Sequence, residues 1–264
     1  GYVNICRRLK SDGRTIIAGC DTQWKGSLRQ HFAAWTAPLY IKSFIDIFWI
    51  TGERPRYFAQ ALGFHGDRCW DGYYACDWNN FSHQPAQPER EDSPYFIYVG
   101  RYAPEKGLDT LASAYQAYCQ QVEEPWPLIC AGSGALRDTL VEAGVVDKGF
   151  VQPDDLPKLM KEAAAFILPS RSEPWGVVAQ EAAASGLPLI LSDVCGAGVH
   201  LLRPHHNGFI FSAESDTELA QSLISMHSLT PQQRFLYGQA SYELSKQYTP
   251  QRWSKTLIKG LQLL

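Results

Sequence analysis

The sequence predicts an α/β chain made of two successive layers of largely parallel sheet and helix. Three observations carry this: short apolar runs alternate with helix-period segments, a polar tract interrupts the alternation near residue 79, and 264 residues suffice for one large or two ordinary domains. Tyr2 to Leu9 reads as helical with no strand ahead of it. Thr15 to Ala18 reads as a strand, Leu28 to Phe44 as helical, Ile45 to Thr51 as a strand, Pro55 to Leu62 as a helix and Cys69 to Cys76 as a strand. Asn79 to Pro94, rich in Asn, Pro, Gln and charge, reads as an interdomain linker. Strands are then expected at Phe96–Val99, Leu128–Ala131, Gly149–Val151, Phe166–Leu168, Leu189–Ser192 and Gly208–Phe211. The helices between and after them are expected at 108–121, 135–143, 156–165, 177–185, 216–226, 231–246 and 250–262.

A net charge of −3 gives no bulk electrostatic reason to expect a nucleic-acid partner. Seven cysteines, odd in number and without C-x-x-C spacing, read as reduced structural thiols, which favours a cytoplasmic setting. The apolar run Pro38 to Ile50 is too short to span a membrane and carries Lys42 and Asp46. Neither a signal peptide nor a spanning helix is read, and a peripheral membrane contact stays open. A start at Gly1, inside a helical segment, reads as a chain lacking its beginning.

The most informative stretch is Ser170 to Gly186. Phe166 to Pro169 reads as a buried strand, Pro174 suits a first helical position, and Val177 to Ala184 reads as a helix closed by Gly186. A helix N-terminus at the carboxyl end of a strand presents unpaired N–H groups to an anion. Glu173 and Glu181 flank that start, about two turns or roughly 12 Å of rise apart. A ligand with an anionic middle and hydroxyl-bearing ends would touch both. Alternatively, the two glutamates are a cap and a solvated charge.

Strand Tyr95 to Val99 runs into Gly100-Arg101-Tyr102-Ala103-Pro104-Glu105-Lys106-Gly107. Arg101 and Lys106 are placed to converge on one diphosphate, Arg through forked hydrogen bonds and Lys as a compact charge; the bland alternative is a solvated turn. Cys130-Ala131-Gly132-Ser133-Gly134 is a second strand-to-helix turn whose glycines let backbone approach a ligand. There is no Asp-x-Asp pair to clamp a metal, so no metal ligand is assigned.

The frames Glu-Pro-x-Gly-x-x-x-x-Glu-Ala at Glu173 and Gly-Arg-x-x-x-x-Lys-Gly at Gly100 resemble the signature of retaining nucleotide-sugar glycosyltransferases of the GT-B family, the glycosyl transferases group 1 typified by sucrose and glycogen synthases. The resemblance runs from about Thr15 to the C-terminus. It implies a GT-B-like fold of two Rossmann-type α/β domains with parallel sheets, the N-terminal one incomplete: residues 1–92 as a partial acceptor-side domain and linker, 93–247 as the donor-binding domain, and 248–264 as a helix crossing back, with Trp253 as its anchor. It implies catalytic roles for Arg101, Lys106 and Glu173, and donor binding by Gly132, Gly134, Glu181 and the amides of Trp175, Gly176, Val177 and Val178. The partners implied are a nucleoside diphosphate sugar and a saccharide or lipid-linked acceptor, with no separate cofactor and no nucleic acid.

In the same comparison Phe150 and Val151 fall where the base is framed. His200 stands where the family's Gly-x-x-x-Glu-Leu segment has glutamate, and it is given no catalytic role. On the acceptor side Asp21 takes the place of a usual histidine, either touching the sugar and acting as acid or base, or simply capping the turn before Trp24. Trp24, Trp35, Trp49 and Tyr40 suit a sugar-stacking surface or a core. The expected activity is transfer with retention and without a metal. The alternatives are a non-catalytic nucleotide-sugar-binding fragment or an epimerase on the same scaffold. A glycosidase would leave Arg101 and Lys106 unexplained.

Overall fold

The structure, a computed structural model, describes residues 1–85 and 94–262. The chain forms two compact units, one of Gly1–Tyr74 with Pro250–Leu264 and the other of Ala75–Thr249. In the first, α1 (Tyr2–Ser11) precedes β1 (Ile17–Cys20), α2 (Leu28–Thr36), β2 (Ile47–Ile50), α3 (Glu53–Ala61) and β3 (Cys69–Asp71). The three strands make a parallel sheet in chain order. Strand β2 is buried throughout, as the middle strand of a covered parallel sheet should be. Its period of two sends Phe48 and Ile50 into a cluster with Ala37, Ala59, Leu62 and Phe64, and Ile47 and Trp49 into a second with Trp70.

The helix expected over Leu28–Phe44 stops at Thr36, because Pro38 has no N–H to carry the ladder on; one 3₁₀ turn, Ile41–Ser43, follows. The strand expected to reach Cys76 ends at Asp71, after which Gly72 makes one last bond to the Ile50 carbonyl (2.8 Å).

The second unit opens with a short helix, α4 (Trp78–Phe81), which overlaps the start of the tract read as linker. It packs on α8 through Ser185 Oγ donating to the Phe81 carbonyl (3.2 Å), and Trp78 Nε1 donates to Ser245 Oγ (3.0 Å). The expected domain boundary at residues 92 and 93 touches residues outside the described ones. Then come β4 (Phe96–Val99), α5 (Leu108–Gln121), β5 (Leu128–Ala131), α6 (Arg137–Glu142), β6 (Val146–Asp147), α7 (Leu156–Lys161), β7 (Ala165–Leu168), α8 (Val177–Ala184), β8 (Leu189–Ser192), α9 (Gly198–Leu201), β9 (Gly208–Phe211), α10 (Asp216–His227) and α11 (Pro231–Ser245).

The six strands are parallel in the order β6-β5-β4-β7-β8-β9. The third strand, expected at Gly149–Val151, lies earlier at Val146–Asp147. Gly149 instead turns the chain at φ 64°, with its N–H on the Asp147 carboxylate (2.9 Å).

Helix α12 (Pro250–Leu261) belongs to the first unit. Leu257 packs on Ile47, Trp49 and Trp70, Trp253 lies 5.1 Å from the Trp49 ring, and Gly260 sits where a Cβ would strike Trp70. Tyr248, expected to start this helix, stays in the second unit.

Candidate functional site

Strand β4 pairs with β5 on one side and β7 on the other, so the winding of the six-stranded sheet reverses there. In open parallel sheets such a switch point opens a crevice at the carboxyl ends of the strands. The loops leaving β4, β5, β7 and β8 meet at that end and carry the sequence-derived candidates.

The β4 loop closes in a 3₁₀ turn, Pro104–Lys106, and the β7 loop holds it. Arg171 donates its backbone N–H to the Glu105 carbonyl (2.9 Å) and its guanidinium to the Pro104 carbonyl (3.1 Å) and the Asp109 carboxylate (2.6 Å). It also pairs with Glu214 (2.9 Å). Lys106 is thereby set against Glu173, Nζ to Oε2 at 2.5 Å, and Ser170 Oγ donates to the same oxygen at 3.1 Å. Both side chains are largely buried, at 16 % and 11 % exposure, where the attraction is little screened by solvent. The β8 loop braces the other flank: the Gly196 N–H donates to the Glu173 carbonyl (3.0 Å) and the Ala197 N–H to that of Trp175 (2.8 Å).

Arg101 is exposed and holds Glu105 (2.7 Å), so the two cations expected to converge each hold a different carboxylate. Gly132 and Gly134 serve the protein itself. A Cβ on Gly132 would lie 1.9 Å from the Gly100 carbonyl oxygen, and one on Gly134 2.4 Å from that of Tyr102, so the β5 turn can nest on the β4 loop only with glycine at both places. The Gly132 N–H donates to the Gly149 carbonyl (2.8 Å), and Phe150 beside it is exposed.

Helix α8 begins at Val177, as expected, with Gly176 capping it at φ 97°; Pro174, read as a first helical position, lies in the loop ahead of it. Glu173 therefore lies in the loop, and helical rise does not set its distance from Glu181. The first-turn N–H groups, those of Val177 and Val178 among them, have no intrahelical acceptor. The Trp175 indole is 2 % exposed, donates to Gln180 Oε1 (3.1 Å) and lies near the rings of His200 (5.5 Å) and Tyr248 (6.1 Å). Gln180 in turn donates to the Tyr248 carbonyl (2.9 Å).

One turn into α8, the Glu181 carboxyl is half-buried and makes no hydrogen bond or ion pair among the described residues. Burial, and secondarily the charge of Asp77, raise its pKa to about 7. Nearby Cys76 is pushed up to about 12, by burial and then by Glu181.

In the first unit Asp21 follows β1 and accepts from the Tyr74 hydroxyl at 3.4 Å. The four aromatics do not form one stacking surface: Trp49 is core, Trp24 packs edge-on to His31, and Trp35 and Tyr40 are exposed. Ser170, Arg171, Gln180 and Asp77 were not singled out from sequence. Ser170 and Arg171 lie inside the Glu173 stretch, but the side-chain partners of Arg171 come from the loop and helix after β4 and from beyond β9, which spacing does not reveal.

Residues 80–240 match the family described as Glycosyl transferases group 1. The chain belongs to this family. An uncharacterized glycosyltransferase of Methanocaldococcus jannaschii is 35% identical over 127 residues, covering 45% of this chain and 32% of the relative. D-inositol 3-phosphate glycosyltransferase of Jonesia denitrificans is 36% identical over 153 residues, covering 48% of this chain and 36% of the relative. The chain thus spans about a third of the length of these curated relatives. A crystal structure of Anabaena Alr3699/HepE in complex with UDP superposes with a TM-score of 0.81 at 17% identity, over 100% of this chain and 76% of that one. At that identity the likeness speaks for the fold, the paired Rossmann-like sheets of GT-B. Among the described residues no helix is long and apolar enough to cross a membrane.

Proposed function

We propose that this member of the glycosyl transferases group 1 binds a nucleoside diphosphate sugar in its second unit and transfers the sugar with retention and without a metal. The observation that carries the reading is the Lys106–Glu173 pair, held at the β4/β7 switch point beside the start of α8. One protein of the same fold, Anabaena Alr3699/HepE, has been solved with UDP and with UDP-glucose, which supports a donor of that class. In this reading residues 93–247 take the donor, 1–92 contribute part of the acceptor side with Asp21 as its candidate, and 248–264 complete the N-terminal unit.

Lys106, joined by Arg101 once it leaves Glu105, receives the diphosphate. The amides from Trp175 to Val178 and the β5 turn at Gly132 and Gly134 complete the anion site. Glu173 accepts from sugar hydroxyls, and Glu181, whose carboxyl has no hydrogen-bond or ion-pair partner among the described residues, accepts from the ribose. The bond between the anomeric carbon and the diphosphate oxygen breaks on the face where the acceptor oxygen attaches. The acceptor's proton passes to the departing phosphate oxygen, and the growing negative charge is met by Lys106 and Arg101.

The test is titration and turnover with UDP- and GDP-sugars. Glu181→Ala should weaken UDP binding about 10-fold or more, the value of a hydrogen bond to a charged group. Lys106→Ala should lower kcat about 10²–10³-fold, with Arg101→Ala acting in the same direction. Chelation by EDTA should leave turnover unchanged. Wild-type binding and rates in all three variants would overturn the assignment.

A further inference from the structure

Helix α2 is turned inside out for a soluble surface helix. Its alanines, Ala33 and Ala34, together with Ala37, face the core cluster of Phe48 and Ile50, whereas its large apolar residues point to solvent. Leu28, Phe32 and Trp35, with Leu39 in the turn beyond, are spaced by four, three and four residues and are between 63 % and 89 % exposed. Helix α1 buries none of its residues and exposes Tyr2 and Ile5. Arg7 joins it to the same region, lying over the Tyr40 ring (5.6 Å) and donating to Ser43 Oγ (3.1 Å). An exposed apolar face of this extent marks an interaction surface.

Charge indicates the partner. The first unit carries 13 Lys and Arg against 6 Asp and Glu, a net of +7; the second carries 11 against 21, a net of −10. The modest total of −3 conceals this division. Lys25 and Arg29 are exposed beside the stripe, as is Arg8 on α1.

We propose that the α1–α2 face of the first unit docks on an anionic lipid surface, with Phe32, Trp35 and Leu39 entering the headgroup boundary and the surrounding Lys and Arg meeting the lipid charge. A nucleic acid would match the charge but leave the stripe in water. A second copy would set +7 against +7. The inference is independent of the donor site in the other unit.

The test is flotation of the full chain with vesicles of phosphatidylcholine containing about 30 % phosphatidylglycerol, against phosphatidylcholine alone. Binding should favour the anionic vesicles about 10-fold or more, fall with added salt, and shift tryptophan emission to the blue. The variant F32S/W35S/L39S should lose about 10-fold while melting as the parent does, since the three side chains are exposed. K25E/R29E, which leaves the stripe intact, should lose several-fold. Equal or absent binding to both vesicles, wild-type binding by both variants, preferential binding of a DNA duplex, or self-association abolished by F32S/W35S/L39S would overturn the proposal.

Discussion

Glu181 holds its proton to about pH 7 because its carboxyl is half-buried and has no donor among the described residues to stabilise the charge. An unfolded glutamate titrates at about 4.3. The folded state therefore binds more protons between those values, and Glu181's contribution to stability, full at low pH, is lost as pH rises towards 7. Glu181→Gln, which imitates the protonated form, should melt like wild type near pH 4.5 and progressively higher above it, the gap levelling off beyond pH 7. Melting curves across that range check this. The same substitution should weaken UDP binding, separating stability from function. That Glu181 matters was legible from its frame with Glu173. Its raised pKa was not, because burial and the approach of Asp77, which lies 104 positions earlier in the chain, are set by tertiary packing that spacing does not show.

At the scale of elements, the site depends on two βα loops locked to each other. Gly107 lies at φ 64° with its Cα so close to the β7 loop that a Cβ would stand 2.2 Å from the Pro169 carbonyl oxygen. Gly107→Ala must push the loops apart and should cost about 1–3 kcal/mol in chemical denaturation, together with a fall in kcat through displaced Lys106. Arg171→Ala removes the guanidinium from Pro104, Asp109 and Glu214 but keeps the backbone bond to Glu105. It should therefore loosen Lys106 at a smaller cost in stability, and binding isotherms would show weaker UDP affinity.

Most strands of the second unit were readable as short apolar runs. The start of α8 at Val177 was readable too; what was not is that Pro174 stays outside the first turn, because the left-handed Gly176 stands between them. The end of α2 was readable in principle from Pro38, which the longer apolar periodicity around it obscured.

For the molecule as a whole, ligand linkage and charge division make separate predictions. If all donor contacts lie in the second unit, UDP at 100 times its Kd should stabilise that unit by about 2.7 kcal/mol, seen as a rise of several degrees in its melting temperature. Inorganic phosphate alone should give much less. The two-layer α/β plan was legible because alternation survives any uncertainty about ends. The opposed charges of the units were hidden in one small sum, and the exposed apolar face of α1 and α2 could not be read because periodicity shows that a helix is two-faced but not which face is covered.

Helix α12 has a consequence for the order in which the protein is made. Its Trp253, Leu257 and Gly260 cover Trp49 and Trp70, yet the ribosome inserts the whole second unit between them, residues 75–249. The first unit is thus begun first and finished last. At about 5–20 residues per second its tryptophan face stays bare for roughly 10–35 s of synthesis, the interval in which a nascent chain most needs a chaperone.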